Sequence, residues 1–288
     1  MILYTEGSSG MNIAEFIAFS LTEDVGDGDH TSLACIDTAA VGKAVVKIKE
    51  DGILAGVDLA LKILKYVDDD IQADVRIQDG SMVRNNDIVI EIQGKVQSIL
   101  KAERLLLNCM QRMSGIATLT RKMVNQISGT KAKLLDTRKT TPNFRVFEKL
   151  AVKIGGGYNH RFGLFDMILI KDNHIDACGG ITKAIEKAND YLKINKKNLQ
   201  IEIETRNIDE VKEVLNCGCV NRIMLDNFTT GTLRTAVQLI NNKLETEASG
   251  GITFDTIREV AECGVDFISV GALTHSYKSL DISLKMIL

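Results

Sequence analysis

A stretch of 39 residues near the middle of the chain carries side chains suited to binding an anion. Between Asp136 and His174 it contains seven Arg and Lys residues, two His and the unbroken triplet Gly155-Gly156-Gly157. A solvent-facing helix would spread its charges at spacings of three and four residues. Here four cations stand at the edges of apolar runs, where strands are expected to end: Arg138, Lys139, Arg161 and Lys171. The arrangement predicts a pocket for a strongly anionic ligand.

From about residue 114, short apolar runs alternate regularly with amphipathic segments. Strands are predicted at residues 133–136, 167–170, 199–203, 222–225, 244–248 and 266–270. Helices are predicted at residues 116–127, 143–154, 180–193, 207–216, 230–241 and 253–262. Strands that alternate with helices form parallel sheets, and six units of similar length favour closure into a barrel. The active site of such a barrel lies at the C-terminal ends of its strands.

The residues that follow the predicted strands are charged, hydroxyl-bearing or glycine. In chain order they are Arg138 with Lys139, Lys171, Glu204, Asp226, Ser249-Gly250-Gly251 and Gly271. Six strand ends of this kind are hard to explain as solvated surface. We therefore expect one site, at the mouth of the barrel.

Glycines follow the last two predicted strands, at Ser249-Gly250-Gly251 and at Gly271. They let backbone N–H groups approach an anion at a helix N-terminus, and barrel enzymes often hold phosphate in their last two βα loops. The alternative is that these glycines only form tight turns. The neighbouring cations favour phosphate binding.

The four cations differ in the anion that suits them. Arg138 and Arg161 offer the planar fork that binds a carboxylate at two points. Lys139 and Lys171 are point charges suited to phosphate. The pattern therefore indicates a ligand, or a pair of ligands, carrying both groups.

Two acids and three histidines complete the set of candidate residues. Glu204 and Asp226 are expected at adjacent strand ends, where they would bind Mg²⁺ with phosphate oxygens, hydrogen-bond ribose hydroxyls, or only balance the neighbouring cations. His160 directly precedes an arginine and is a candidate hydrogen-bond donor. The roles of His174 and His275 stay open.

Composition limits the class of protein. The 288 residues suit one large α/β barrel, or a barrel with a smaller domain. Hydrophobic residues make up 45% and charged residues 25%, as in a soluble globular enzyme. The net charge of −3 argues against a nucleic-acid binder, which is normally basic. No stretch approaches the ~20 apolar residues of a membrane span and no signal peptide is visible, so we expect no membrane partner and a cytoplasmic location.

Three further segments are expected to play no part in the chemistry. The six cysteines form no CxxC pair, and Cys217-Gly218-Cys219 lacks companions for zinc, so structural roles in a reducing compartment are expected. The acids and glycines of residues 23–30 do not have the spacing of an EF-hand loop, which favours a loop or helix end. Residues 1–10, which end in Gly7-Ser8-Ser9-Gly10, are excluded from the fold prediction because they resemble a tag remnant or an upstream start.

Several ordered motifs now identify a resemblance. From about Met11 the chain resembles the quinolinate phosphoribosyltransferases, the decarboxylating enzymes of de novo NAD synthesis. The matching stretches are LTEDVGDGDHTS (21–32), ERLLLNCMQRMSGIAT (103–118), DTRKTTP (136–142), GGGYNHRFGLFDMILIKDNH (155–174), IEIE (201–204), MLDNF (224–228), SGG (249–251) and VGALTHS (270–276). Together, at family-like separations, they are far more specific than any one motif alone.

The resemblance implies the fold and the reaction. It implies an N-terminal open α/β sandwich over residues 11–113, joined by the C-terminal segment 276–288. An incomplete α/β barrel would follow over residues 114–275. The implied reaction joins quinolinate to phosphoribosyl pyrophosphate with Mg²⁺ and yields nicotinate mononucleotide, pyrophosphate and CO₂.

The resemblance also implies roles for individual residues. Quinolinate would be held by Arg138, Arg161, His160 and Lys171, and by Arg104 of a neighbouring subunit, so at least a homodimer is expected. The phosphoribosyl group would be held by Lys139, Lys171, Glu204, Asp226, Ser249, Gly250, Gly251, Gly271 and His275. The catalytic groups would be Lys139, Lys171, Glu204 and Asp226, and the tentative Mg²⁺ ligands Glu204 and Asp226.

Two departures and three rivals qualify the resemblance. Asn143 stands where many relatives carry glycine, and Thr205-Arg206 where acidic or apolar residues are common; both put fine specificity in doubt, not the reaction class. The enzymic rivals are the pyrophosphorylase-like paralogue of molybdenum operons and nicotinate phosphoribosyltransferase. The third is a non-catalytic phosphate or nucleotide sensor, and retention of both Glu204 and Asp226 speaks against it. The complete TRKTTP, HR and KDNH motifs favour the quinolinate enzyme.

Overall fold

The structure, a computed structural model, describes residues 12–287. The proposed tag remnant at residues 1–10 lies outside this range. Clustering of contacts divides the chain into two units. The first contains residues up to Thr118 together with Thr141–Ile154 and Lys278–Leu288, and the second contains Leu119–Thr140 and Gly155–Tyr277.

The helices and strands of the described residues are numbered in chain order. The helices are α1 (Ile13–Val25), α2 (His30–Cys35), α3 (Val57–Val67), α4 (Val96–Gln126), α5 (Arg145–Ile154), α6 (Asp172–Cys178), α7 (Ile181–Ile194), α8 (Ile208–Cys217), α9 (Thr230–Ile240), α10 (Ile257–Ala261) and α11 (Ala272–His275). The strands are β1 (Val41–Ile48), β2 (Gly52–Ile53), β3 (Gln72–Val75), β4 (Met82–Val83), β5 (Ile88–Lys95), β6 (Lys133–Leu135), β7 (Ile168–Ile170), β8 (Ile201–Thr205), β9 (Arg222–Asp226), β10 (Glu245–Ser249), β11 (Phe267–Ser269) and β12 (Ile282–Ile287).

The first unit is built on an antiparallel sheet. Its strand order is β12-β1-β5-β3, and a small sheet pairs β2 with β4. Pairing of β12 with β1 ties the C-terminal segment to this sheet. Helix α3 buries Leu59, Ala60 and Ile63, which lie on one face because of their three- and four-residue spacing. Helix α1 begins with a capping box in which Asn12 and Glu15 accept each other's backbone N–H.

The second unit is an incomplete parallel barrel. Its six strands have the order β6-β11-β10-β9-β8-β7, so the first and last strands in space are consecutive in the chain. Each neighbouring pair is parallel. The predicted strand-helix alternation is confirmed, and with it the class of fold.

Alternation along the strands places polar groups inside this barrel. In β8, Ile201 and Ile203 alternate with Glu202 and Glu204, although all four residues are buried. Successive side chains of a strand point to opposite faces. Since Glu204 lines the internal cavity described below, Glu202 faces the same interior.

Three details differ from the sequence prediction. The helix predicted at 116–127 is the second part of a longer helix, α4. Residues 141–154, including α5, belong to the first unit and not to the barrel. The strands themselves contain Glu204, Asp226 and Ser249 near their C-terminal ends, whereas the prediction placed these residues after the strands.

Three expectations about the rest of the chain can be compared with the structure. Within residues 12–287 no helix combines the length and apolarity that crossing a bilayer requires. All six cysteines are free thiols. Asp29 of the acidic cluster caps α2 through the amide of Ser32, which is the helix-end role predicted for that segment.

Candidate active site

One cavity of about 820 Å³ opens at the C-terminal ends of the barrel strands. Its lining contains every residue of the strand-end pattern, which are Arg138, Lys139, Lys171, Glu204, Asp226, Ser249, Gly250, Gly251 and Gly271, together with the candidates His160, Arg161 and His275. All of these residues belong to the second unit. The strand ends that are separate in sequence therefore surround a common space.

Two guanidinium groups approach each other at one side of the cavity. The pKa of Arg161 is lowered by burial and by the positive charge of Arg138. The Arg161 guanidinium also donates to the carbonyl oxygen of Met167, at 3.2 Å. Like charges placed together are unfavourable unless an anion joins them. This side of the cavity suits a ligand with more than one carboxylate.

His160 stands beside this pair, and its side chain is only 6% exposed. Its backbone N–H donates to the buried carboxylate of Asp136 at 2.9 Å. Its Nε2 lies 2.9 Å from Glu202 and 3.4 Å from Glu247. Burial alone would lower the pKa of His160, but the hydrogen bonds to these two carboxylates raise it to about 9.

The contact made by the other ring nitrogen, Nδ1, acts in the opposite direction on the pKa of His160. The Arg161 amide donates to Nδ1 of the neutral ring at 2.8 Å, which favours a proton on Nε2 alone. An amide hydrogen bond contributes about 1 kcal/mol, whereas opposite charges about 4 Å apart interact by roughly 4 kcal/mol at an effective dielectric constant of 20. The attraction of the two carboxylates therefore outweighs the amide hydrogen bond, and the pKa of His160 is raised.

Two acidic residues also line the cavity. Glu204 ends the inward face of β8, and Asp226 ends the neighbouring strand β9. Burial and the charge of Asp226 raise the pKa of Glu204, while Lys171, whose Nζ is 3.7 Å from Glu204, lowers it. Two close carboxylates, one of them beside a lysine, form a set of oxygen donors that suits a hard divalent cation.

The loop after β10 has a backbone that requires glycine. Gly250 has φ of +90°, and a Cβ there would overlap the side-chain oxygen of Asn227 and lie 2.8 Å from its backbone nitrogen. Asn227 donates through Nδ2 to Asp226 at 2.6 Å and through its backbone N–H to the Ser249 carbonyl at 2.9 Å. Asn227 therefore links the acidic pair to the glycine loop. The sequence prediction did not single it out.

Lys139 and His275 meet on the remaining side. The hydroxyl of Thr274 donates to the Lys139 carbonyl at 2.8 Å, which fixes the loop after β6 against α11. His275 is exposed, and its Nδ1 lies 2.6 Å from the Ser276 hydroxyl. The exposed lysine and imidazole are available to an anion in the cavity.

Two predicted candidates are not among the residues that line the cavity. Arg104 is exposed on α4, in the first unit. His174 is exposed on α6, where its Nδ1 accepts from the Lys171 backbone N–H at 3.0 Å. The structure thus gives His174 a local role at the start of that helix.

The two departures from the family pattern have local explanations. Asn143 has φ of +62°, a left-handed conformation that glycine and asparagine tolerate best. The buried Thr205 hydroxyl donates to the Met224 carbonyl at 3.0 Å, and Arg206 binds Glu210 and Asp176. Neither Thr205 nor Arg206 lines the cavity.

The prediction also missed charged residues under the cavity. Glu202, Glu247 and Arg222 lie on inward-facing positions of β8, β10 and β9, and Glu247 lines the cavity itself. A signal was present: a parallel strand covered on both faces is normally continuous in apolar residues, whereas Ile-Glu-Ile-Glu alternates in polarity and Glu-Thr-Glu-Ala-Ser is mostly polar.

Comparison with known proteins agrees with this geometry. Residues 29–114 match the family model of the quinolinate phosphoribosyl transferase N-terminal domain, and residues 116–285 match that of the C-terminal domain. A quinolinate phosphoribosyltransferase [decarboxylating] of Nicotiana glauca is 47% identical over 94% of this chain and 81% of its own length. A probable nicotinate-nucleotide pyrophosphorylase [carboxylating] of Bacillus subtilis is 42% identical over 92% of this chain and 90% of its own.

Solved structures give the same result. The nicotinate-nucleotide pyrophosphorylase of Francisella tularensis superposes with a TM-score of 0.89 at 42% identity, and covers 96% of both chains. A TM-score of 0.63 to human nicotinic acid phosphoribosyltransferase, at 12% identity, shows a shared fold alone. The chain therefore belongs to the quinolinate phosphoribosyltransferase family, whose sequence motifs surround its barrel cavity.

Proposed function

We propose that this enzyme transfers the phosphoribosyl group of phosphoribosyl pyrophosphate to quinolinate and releases pyrophosphate and CO₂, with nicotinate mononucleotide as the product. The observation that carries the proposal is the single cavity in which paired guanidiniums face an acidic pair and a glycine loop. These groups match the two carboxylates of one substrate and the sugar phosphate of the other.

The quinolinate site is proposed at the side that holds Arg138, Arg161, His160 and Lys171. Guanidinium groups bind carboxylates at two points, and the dianion would relieve the repulsion that lowers the pKa of Arg161. The 5′-phosphate and pyrophosphate would occupy the side that holds Lys139, the loop 249–251, Gly271 and His275. Backbone N–H groups and a lysine there suit phosphate oxygens.

The donor set of Glu204 and Asp226 fits Mg²⁺, and we propose these two residues as its protein ligands. When bound, the ion would neutralise charge on the pyrophosphate leaving group. The mutual repulsion of the two carboxylates is the structural feature that supports a cation there.

The residues suit the chemistry without a covalent intermediate on the protein. The arginines would hold the pyridine nitrogen close to ribose C1, so that attack needs only positioning. As pyrophosphate departs, Glu204 or Asp226 would stabilise positive charge that develops at C1, and Lys139 and Lys171 would stabilise the leaving group. The C2 carboxylate then leaves as CO₂: the electron pair of the broken C–C bond stays on C2, where the positive charge of the adjacent ribosylated nitrogen stabilises it, until C2 takes up a proton.

We further propose a homodimer with a shared active site, or a higher oligomer built from such dimers. Arg104 is exposed in the first unit and stands outside the cavity lining, which supports its action on a neighbouring subunit. A cytoplasmic location stays a prediction. Some plant relatives carry the names mitochondrial or chloroplastic.

Turnover with defined substrates tests the proposed function. The protein is incubated with phosphoribosyl pyrophosphate, Mg²⁺ and either quinolinate or nicotinate, and nucleotide products are separated by chromatography. We expect nicotinate mononucleotide from quinolinate only. Turnover of nicotinate without turnover of quinolinate would mean that the enzyme is a nicotinate phosphoribosyltransferase. If neither substrate gave a product, the hypothesis of a non-catalytic sensor would be favoured.

A further inference from the structure

Four charged side chains lie together inside the barrel, beneath the cavity. This floor cluster consists of His160, Glu202, Arg222 and Glu247. The side chains of both glutamates are fully buried, and those of His160 and Arg222 are 6% and 11% exposed. The interior of an α/β barrel is usually filled by branched apolar side chains. A buried charged layer is therefore a departure from ordinary packing.

The contacts within the floor cluster form a continuous chain. Glu202 accepts from His160 Nε2 at 2.9 Å, and Glu247 Oε2 lies 3.4 Å from the same nitrogen. On its other side, Glu247 accepts from Arg222 Nη1 at 3.0 Å. The Arg222 guanidinium in turn lies over the Phe267 ring, 3.9 Å from its centroid. The chain of contacts leads from a packed guanidinium to the imidazole at the cavity.

Stability alone gives no reason for this arrangement. A buried ion pair is often no more stable than apolar side chains of similar volume, because removing the charges from water is costly. A residue of similar length such as methionine would fill the Glu202 position without that cost. The carboxylates are better explained by what they do to His160.

Buried acids hold both the side chain and the backbone of His160. Glu202 and Glu247 hold Nε2, and Asp136 accepts the backbone N–H at 2.9 Å. An imidazole held in this way keeps one orientation toward the cavity. Because Arg161 is the next residue in the chain, its backbone is fixed together with that of His160.

We propose that Glu202 and Glu247 are positioning residues for the pyridine dicarboxylate: they hold the His160 imidazole through Nε2, and with it the adjoining Arg161, in the arrangement that binds this substrate. The proposal rests on the proposed function, since it assigns quinolinate to the side of the cavity that His160 lines. Neither glutamate is assigned contact with a reacting atom.

A metal site is the competing explanation for the same atoms. Donor atoms of His160, Glu202 and Glu247 lie within 4.8 Å of one another. However, Nε2 is engaged with Glu202, and the Oε2 atom of Glu247 is engaged with Arg222. The contacts therefore favour the positioning role.

Substitution at Glu202 tests the proposal, with Glu202→Met to remove the acceptor and Glu202→Gln to keep an acceptor without charge. We expect the KM for quinolinate to rise about tenfold or more in Glu202→Met and less in Glu202→Gln. The KM for phosphoribosyl pyrophosphate should stay within about twofold in both variants. Glu245→Gln is the matched control, because Glu245 also binds Arg222, at 3.0 Å, but has no contact with His160. It should leave both KM values unchanged.

A double-mutant cycle asks whether Glu202 acts through His160. In the His160→Ala background, Glu202→Met should change the KM for quinolinate by less than about twofold, since residues that act as a unit are not additive. Full additivity would overturn the proposal. So would an unchanged KM in Glu202→Met, an equal rise in the KM for both substrates, or a stoichiometric metal ion in the purified enzyme that Glu202→Met loses.

The proposal can fail separately from the proposed function. Binding of quinolinate to the wild type, followed by calorimetry without the second substrate, reports on the site without turnover. If the wild type turns over nicotinate and not quinolinate, the proposed function fails, and the same cycle is measured with nicotinate. If the wild type turns over quinolinate and the cycle is additive, only the positioning role fails.

Discussion

At the scale of single residues, the sequence predicted the site better than it predicted the support beneath it. Arg138, Lys171 and Asp226 were found because residues at strand ends follow a simple rule, and the structure brings them to one cavity. Glu202 and Glu247 were missed because a charged residue is not expected inside a strand that is buried on both faces. Their inward positions became clear only with the register of the barrel.

Arg138→Ala tests the carboxylate site. The substitution removes a charge-assisted interaction worth about 1.5–3 kcal/mol, so kcat/KM for quinolinate should fall by roughly ten- to a hundredfold or more. Arg234→Ala, on the exposed face of α9, is the control and should retain wild-type kinetics. A wild-type specificity constant for Arg138→Ala would remove this residue from the site.

The pKa of His160 makes a prediction about stability. Because the folded-state pKa, about 9, is above the ordinary value of 6.5, the imidazole stabilises the fold fully below pH 6.5, and this contribution is lost as pH rises through 9. It should amount to about 1–3 kcal/mol, given the opposing Arg161 amide contact. Calorimetric Tm values at pH 6.5, 8 and 9.5 for the wild type and His160→Gln check this. The Tm difference between the two proteins should narrow with rising pH; a constant difference would contradict the assignment.

At the scale of elements, the loop after β10 is constrained by close contact. A Cβ at Gly250 would overlap Asn227 in addition to adopting φ of +90°. We expect Gly250→Ala to raise the KM for phosphoribosyl pyrophosphate at least tenfold and to lower Tm, since the strained conformation alone costs about 1–2 kcal/mol.

Gly231 provides the control for this substitution. It lies in the first turn of α9 and a Cβ there would have no neighbour within 4 Å. Gly231→Ala should be neutral or slightly stabilising, because alanine is the better helix former. Equal effects at positions 231 and 250 would show that the loop geometry is not what matters.

Helix α4 shows why element boundaries were harder to predict than element types. The sequence prediction began a helix at residue 116, whereas the helix runs without interruption from Val96 to Gln126. A Cβ at Gly115 would overlap the Lys278 carbonyl oxygen and lie 2.9 Å from Ser279 Cα. The glycine therefore serves packing against the C-terminal segment. That contact joins residues more than 160 positions apart, and local sequence carries no trace of it.

At the scale of the whole molecule, the barrel could be predicted more completely than the first unit. Six strand-helix repeats of similar length carry redundant information, so errors of two or three residues in single strands do not change the fold. The sequence did not predict helices α1 and α2 or strand β3, because the hydrophobic patterns of these elements are short or interrupted. Likewise, α5 joins the first unit through tertiary contacts that composition does not mark.

Mixed dimers test the proposed shared active site. Arg104→Ala and Lys171→Ala subunits should each be nearly inactive alone. A heterodimer should regain activity, because one of its two sites would then contain both wild-type residues. Co-expression with two different tags allows the heterodimer to be isolated and assayed. No recovery in a confirmed heterodimer would show that Arg104 does not act across subunits.

The most direct measurement of the central claim follows CO₂ and pyrophosphate from the same reaction. Quinolinate labelled in its C2 carboxylate is mixed with the enzyme, phosphoribosyl pyrophosphate and Mg²⁺. If one cavity binds both substrates, labelled CO₂ and pyrophosphate should appear in equal amounts, and omission of phosphoribosyl pyrophosphate should abolish CO₂ release. Release of CO₂ without the second substrate, or of pyrophosphate without CO₂, would contradict the account.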